Sequence, residues 1–203
     1  MIDFFLNQYQ NASITQIILE LLVFIFGIFS VYCAKKENIW VYPSGLIATT
    51  ISVYLMYQAQ YFGEVVINFY YSIMSIYGWF LWSKKSSTFE LQISRTTTSE
   101  KKIGFGLFLL TAFFTYLVYL FFGTKLEIPN YIDIFTSGLF FTAMWFMALK
   151  KIENWTLWIV ADLIAVPLFA YRGLGMIALQ YLIFTLLALS AYNKWNKTLA
   201  QQT

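Results

Sequence analysis

Seven long apolar stretches dominate this sequence, and few charged residues interrupt them. They cover residues 17–33, 40–56, 65–82, 103–122, 132–149, 155–170 and 175–195. A helix needs about 20 mostly apolar residues to cross the hydrocarbon of a bilayer, and each stretch is of that order. The other spanning structure, a β-barrel, uses strands of about ten residues that alternate apolar and polar. A run such as Leu21-Leu22-Val23-Phe24-Ile25-Phe26 shows no alternation. The expected fold class is therefore an all-α polytopic membrane protein with seven transmembrane helices. Composition excludes the main competitors. Only 11% of the residues are charged and 60% are hydrophobic, against about 25% charged in a soluble domain. That is too little charge to clothe a water-facing surface, so a soluble enzyme, a nucleic-acid binder and a disordered tail are ruled out.

The basic residues assign an orientation. Lys35 and Lys36 follow the first stretch; Lys84, Lys85, Arg95, Lys101 and Lys102 follow the third. Lys150 and Lys151 follow the fifth, and Lys194 and Lys197 close the seventh. Only Lys125 and Arg172 fall on the other side. An excess of Lys and Arg marks the cytoplasmic face. The N-terminus is then expected outside and the C-terminus in the cytoplasm, which requires an odd number of spans. Residues 1–16 put no Lys or Arg ahead of an apolar run, so no cleavable signal peptide is expected. Cys33 is the single cysteine and histidine is absent. An intrachain disulfide, a Cys/His metal site and histidine-based catalysis are thereby excluded. No G-x-x-x-x-G-K-[ST] phosphate loop and no G-x-S-x-G elbow occurs. The expectation is a protein that is not an enzyme and carries no cofactor or metal.

Two segments resemble each other. Lys35-Lys36-Glu37-Asn38-Ile39-Trp40 leads into the second span, and Lys150-Lys151-Ile152-Glu153-Asn154-Trp155 leads into the sixth, about 115 residues on. The spans so introduced end near Gly63 and Gly173, and the next ones end at Trp82 and Trp195 before a lysine. Residues 15–82 and 132–195 thus read as two three-helix repeats of the same orientation, joined by a linker helix at 103–122. This 3+1+3 arrangement within one transmembrane domain, residues 1–203, is that of the SWEET transporters, which have parallel repeats. Chance recurrence of basic-flanked helix ends is the alternative. The polar stretch 83–102 is the natural connection between the halves.

Polar side chains inside spans mark candidate functional residues, because a carboxylate at mid-membrane costs about 2.5 kcal/mol or more. Asp162 lies in the middle of the sixth span, with Trp158 one turn earlier on the same face. An anion beside an indole suits a flat, cationic, aromatic ligand. The alternative is a hydrogen bond from Asp162 to a Tyr or Asn of a neighbouring helix. Glu64, Asn68, Ser72, Ser75 and Trp79 recur at three- and four-residue steps along the third span, with Tyr71 beside them. They either line a cavity or join helices. Gln180 in the seventh span stands between packing and ligand contact. Glu20 in the first span is expected to bond to another helix.

Three segments carry a family resemblance: Ser75-Ile76-Tyr77-Gly78-Trp79-Phe80-Leu81-Trp82, Glu153-Asn154-Trp155-Thr156-Leu157-Trp158 and Leu179-Gln180-Tyr181-Leu182. They resemble the Pnu family of bacterial vitamin transporters over nearly the whole chain. The resemblance implies seven helices in the 3+1+3 arrangement and a multi-pass protein of the bacterial inner membrane. It also implies facilitated uptake of a vitamin, nicotinamide riboside in the commonest case and thiamine in some relatives, sustained by a cytosolic kinase that phosphorylates and traps it. A homotrimer is the implied assembly. The family's helix-six W-x-x-x-N motif begins here at Trp158 but ends in Asp162. Its helix-three Gln falls on Asn68, its acidic residue near the start of that helix on Glu64, and its helix-seven Gln or Glu on Gln180. Both departures bear on substrate. An ionised Asp only accepts hydrogen bonds, and its charge favours the cations nicotinamide riboside and thiamine over neutral, larger riboflavin. The expected substrate site is Trp158, Asp162, Asn68, Gln180, Glu64, Tyr71, Ser75 and Trp79, with the ring stacked on Trp158 or Trp79. The partners expected are the vitamin and the bilayer, with no nucleic acid. A membrane receptor or sensor without flux is the reading from another class.

Overall fold

The structure, a computed structural model, describes residues 12–58, 62–86, 89–123 and 125–202. Among them are seven helices: α1 (Ile14–Lys35), α2 (Val41–Gln58), α3 (Phe62–Ser83), α4 (Thr98–Phe121), α5 (Ile128–Ala148), α6 (Glu153–Tyr171) and α7 (Gly175–Gln202). Long helices are what a chain in hydrocarbon must form, since they satisfy every backbone group internally. Six of the seven are long and apolar enough to cross a membrane by length and composition. The exception is α2, and this departs from the expectation of seven equivalent spans. It carries Pro43, Ser44, Gly45, Thr49, Thr50 and Ser52. Gly45, Thr49 and Ser52 face the central cavity described below, which is why this helix is less apolar than its neighbours.

Local chemistry sets the boundaries. Ser13 caps α1 by accepting from the Gln16 N–H at 3.1 Å. Thr97 and Glu100 form a reciprocal capping box at the start of α4. The joints α1–α2 and α5–α6 are built alike. Glu37 and Lys150 both adopt positive φ, 55° and 52°. The Asn38 N–H reaches back to Cys33 and the Lys151 N–H to Phe146, the long bond of a Schellman cap. Val41 then bonds Asn38 and Tyr42 bonds Ile39, as Asn154 bonds Lys151 and Trp155 bonds Ile152. Each of these pairs is 113 positions apart, the separation of Glu37 and Lys150 themselves.

Helix α2 packs between α1 and α3, and α6 between α5 and α7. Contacts of α1 with α7 and of α3 with α5 close these six helices into a ring. Helix α4 packs on α5, at a crossing where the Phe108 ring fills the space beside Gly138. Water drives little of this association inside a bilayer, so close approach of small residues and rings does the work. At the lysine-rich end the ring is stoppered by aromatics. Tyr42 meets Trp82 edge to face at 5.1 Å and 86°, and Trp155 meets Trp195 at 5.4 Å and 86°. The Trp82 Nε1–H donates to the Ala148 carbonyl at 3.2 Å, and Lys150 Nζ lies 4.7 Å from the Trp82 ring. Lys150 also pairs with Glu37 at 3.2 Å, tying the two joints together.

The polar connection after α3 is not a free tether. It holds a two-residue antiparallel pair, β1 (Lys85–Ser86) with β2 (Phe89–Glu90). It then docks on the α5–α6 joint. The Ser94 N–H donates to the Lys150 carbonyl, the Ile152 N–H to Ser94, and the Thr96 N–H to the Glu153 carboxylate. Ile93 is buried there, and Glu100 pairs with Lys151 at 2.9 Å.

A Cβ on Gly78 would overlap the buried Tyr42 ring, whereas one on Gly106 meets nothing within 4 Å. Overpacking of this kind costs about 1–3 kcal/mol. Gly78→Ala is therefore expected to lower the thermal midpoint of the detergent-purified protein by several degrees, and Gly106→Ala to leave it level or raise it.

Candidate functional site

The ring of helices encloses a cavity of about 1850 Å³. This exceeds the 300–1,000 Å³ usual for a small-ligand site, because it includes a wide vestibule. Ser13, Gln58, Arg172 and Leu174 line its mouth, at the end where α1 begins; Tyr42 and Trp155 form its floor against the aromatic stopper. At the mouth Tyr119 donates to the Asp133 carboxylate, close to Arg172.

Six of the eight expected site residues line this one cavity: Asn68, Tyr71 and Ser75 from α3, Trp158 and Asp162 from α6, and Gln180 from α7. The side chain of Glu64 lies outside the described residues. Trp79 is 41% exposed and is not among the lining residues, so of the two indoles expected to stack a ring only Trp158 lines the cavity. Ser72 sits one step off the lining and shares a 2.9 Å hydrogen bond with Thr49 of α2, which does line it. Glu20 also departs from expectation. It accepts from Gln16 Nε2 at 3.0 Å on its own helix rather than bonding across to another.

Asp162 is the centre of the arrangement. The residue is 1% exposed, and its Oδ1 has no hydrogen-bond partner among the described residues. The expected alternative, a Tyr or Asn bonded to that oxygen, is thus not what the structure holds. Trp158 Nε1, one turn away, is likewise buried without a partner. A buried polar atom left unpaired costs about 1–3 kcal/mol, more for a charged group. A donor and an acceptor so placed suit a ligand that offers both.

Rings surround this pair, and sequence reasoning had identified only some of them. Trp158 lies 5.4 Å from Phe140 and 6.3 Å from Tyr71. Tyr181 stacks between Phe140 at 5.7 Å and Phe169 at 5.1 Å. Phe140 and Phe169 had no sequence signal that set them apart among 43 aromatic residues (Phe 21, Tyr 15, Trp 7), and Tyr181 stood out only as part of the Leu179-Gln180-Tyr181-Leu182 segment. Asp133 was missed because it sits at the edge of its span. Gln180 packs at the seam of the ring, where a Cβ on Gly27 of α1 would meet its Nε2 at 3.2 Å. The chemistry on offer is a carboxylate and an indole N–H within a cluster of aromatic faces, which is how proteins bind organic cations.

Gln180 lines the open cavity, whereas the outer face of α6 does not. Leu163, next to Asp162, is 54% exposed on the outer side of α6 and does not line the cavity. A cysteine placed at Gln180 is expected to react with a water-soluble thiosulfonate at least tenfold faster than one at Leu163 in a bilayer. The buried native Cys33 provides a low background.

Comparison with known proteins agrees with this geometry. The nicotinamide mononucleotide transporter family matches residues 17–197. The nicotinamide riboside transporter PnuC of Escherichia coli (strain K12) is 25% identical over 193 residues, 83% of this chain and 81% of that one. The Shigella flexneri protein of the same name gives the same values. A crystal structure of the vitamin B3 transporter PnuC superposes with a TM-score of 0.71 at 21% identity, over 91% of this chain and 83% of that one, and so shares the fold. With a family match over most of its length, a helical bundle built for a bilayer and a central cavity, this chain is a membrane protein of the nicotinamide mononucleotide transporter family.

Proposed function

We propose that this protein is a facilitator for nicotinamide riboside, with the substrate bound in the central cavity between Trp158 and Asp162. The observation that carries the reading is the unpartnered Asp162 carboxylate oxygen beside the aromatic cluster. Nicotinamide riboside brings a flat pyridinium cation, a carboxamide and a sugar. A cation over an aromatic face in a desolvated site gains about 2 kcal/mol or more. A unit charge at about 4 Å from a carboxylate gains about 4 kcal/mol at an effective dielectric constant of about 20. These gains oppose the cost of stripping water from the ring and from the carboxylate, a cost that a delocalised single charge keeps low. The names of the relatives, nicotinamide riboside transporters, point to the same substrate. Thiamine, also a cation, is the second reading, favoured by Asp162 standing where the family pattern has Asn.

The same proposal includes the transport cycle. The two units, residues 15–82 and 132–195, rock about the midplane site as parallel repeats, with α4 as their linker. The matched caps at Glu37 and Lys150 and the matched pairs Tyr42–Trp82 and Trp155–Trp195 support that reading. The N-terminal end faces outside, so the cavity opens outward here and the aromatic stopper closes the cytoplasmic side, where eleven of the thirteen basic residues gather. No ATP site drives the cycle. Net uptake then depends on a cytosolic kinase that phosphorylates the product, and the resemblance to trimeric relatives extends the proposal to a homotrimer in the bacterial inner membrane.

Asp162→Asn tests the assignment, because it removes the charge at constant shape. Nicotinamide riboside binding, followed by tryptophan fluorescence, is expected to weaken tenfold to a hundredfold, about 1.4–2.7 kcal/mol. The ligand-free thermal midpoint should hold or rise, since an unpaired buried charge destabilises the fold. Unchanged affinity would refute the role of Asp162. A large fall in the thermal midpoint would make it a structural residue instead.

A further inference from the structure

The packing divides the seven helices into two bodies. Helix α4 follows α3 in sequence yet has few contacts with it. It is fastened to α5 along its length instead. Near the lysine-rich end Thr142 Oγ1 donates to the Gly104 carbonyl at 3.2 Å, and a Cβ on Gly104 would meet the Phe146 ring at 2.7 Å. Phe108 fills the space beside Gly138 half-way along, and Tyr119 donates to Asp133 at the far end. The connection ahead of α4 is fastened to the same side. Besides its bonds with Lys150, Ile152 and Glu153, it reaches α7, where Arg95 Nη2 donates to Asn196 Oδ1 at 3.4 Å. Residues 93–97 and α4–α7 therefore make one body, and α1–α3 the other.

At the lysine-rich end the seam between the bodies carries polar ties. Lys35 Nζ of α1 donates to Ser190 Oγ of α7 at 2.6 Å, and Trp82 Nε1 of α3 donates to the Ala148 carbonyl at 3.2 Å. Lys150 reaches across twice, to the Glu37 carboxylate at 3.2 Å and to the Trp82 ring at 4.7 Å. Its own carbonyl accepts from the Ser94 N–H, so its backbone is anchored in the second body. Glu37 and Lys150 are also the two non-glycine positions with positive φ among the described residues. Glycine is the usual residue at such a helix end, because it has no Cβ to strain. Backbone geometry thus disfavours both residues, and what they add is a charged pair that joins the bodies. The Lys150 side chain is 11% exposed. Such a pair is hard to break while dry, because each charge would lose its partner, and is worth little once water solvates it. A tie of that kind holds a closed end and lets go when the end is wetted.

We propose that α1–α3 swing against the body formed by α4–α7, and that Lys150 is the latch that keeps the lysine-rich end shut while the cavity is open at the other. This rests on the transporter reading above and deepens it, by naming the residue that sets the balance between the two access states. Removing the latch takes a tie from one state and none from the other, so it shifts the populations toward the state open at the lysine-rich end.

Lys150→Gly and Glu37→Gly test the latch, since each deletes one half of it and gives the backbone the residue that its φ favours. The native Cys33 reports opening, because it is buried in one apolar cluster with Ala188, Ala191 and Trp195 of α7 at the shut end. In the purified full-length protein without ligand, its reaction with a water-soluble thiosulfonate is expected to quicken about tenfold in both variants, and to stay near the unaltered rate in Lys150→Arg. Ile177→Cys, on a Cys33→Ala background, reports the other end, since Ile177 lines the cavity from the first turn of α7. Its reaction should slow about threefold in the same two variants, as the mouth closes while the lysine-rich end opens. An unchanged Cys33 rate overturns the latch. So does an Ile177→Cys rate that fails to fall, because the variants would then have loosened the fold rather than shifted it between states. Neither readout uses nicotinamide riboside, so failure of the latch leaves the substrate reading in place, and failure of nicotinamide riboside to bind leaves the latch in place.

Discussion

Hydrocarbon offers no water to solvate a peptide group or a carboxylate, and this constraint shapes the whole molecule. Backbone groups are satisfied inside long helices, which accounts for the fold. Among the described residues several buried side-chain polar atoms have no hydrogen-bond partner, and Asp162 Oδ1, at the middle of α6, is the carboxylate oxygen among them. Ionisable groups inside spans mark substrate pathways or pair within the bundle; in the function proposed above, the ligand is the partner that completes Asp162. The rings of Phe140, Trp158 and Tyr181 narrow what that partner is, since they favour a flat organic cation over a metal ion or an anion.

The lysine-rich end answers a different demand. A transporter that opens to one side must be shut on the other, and here the floor is made of four aromatic residues in two edge-to-face pairs. Lys150 braces them through the Trp82 ring and through Glu37 across the joints. The connection after α3 is anchored at the same place by Ser94 and Thr96. The elements that close the cavity are thus those that link the two halves. A rearrangement of this cluster is the natural partner of any opening toward the lysine-rich side.

Much of this was legible in the sequence. Apolar length alone gave the helices, because in a bilayer the pattern that predicts a span is a strong one. Asp162 and Trp158 stood out because a charge inside an apolar run is rare. The polar stripe of α3 pointed to Asn68, Tyr71 and Ser75, but helical spacing alone does not fix where a face ends, and Trp79 continues the stripe past the cavity. The low apolarity of α2 was readable only as weakness; its meaning, a helix that lends Gly45, Thr49 and Ser52 to a cavity, depends on which neighbours enclose it. Phe140 and Phe169 come from helices α5 and α6, and only packing against Tyr181 of α7 turns them into one surface. The docking of residues 93–96 was hidden because it runs through backbone hydrogen bonds, which leave no mark on side-chain pattern.

In the proposed mode of binding, charge and aromatic faces together select the ligand. The decisive comparison is between oxidised nicotinamide riboside and its dihydro form, which keeps the sugar and the carboxamide but has a neutral ring that is no longer aromatic. The purified protein is expected to bind the cation at least tenfold more tightly, and Asp162→Asn to remove most of the difference. Equal affinity for the two forms in the unaltered protein would contradict it.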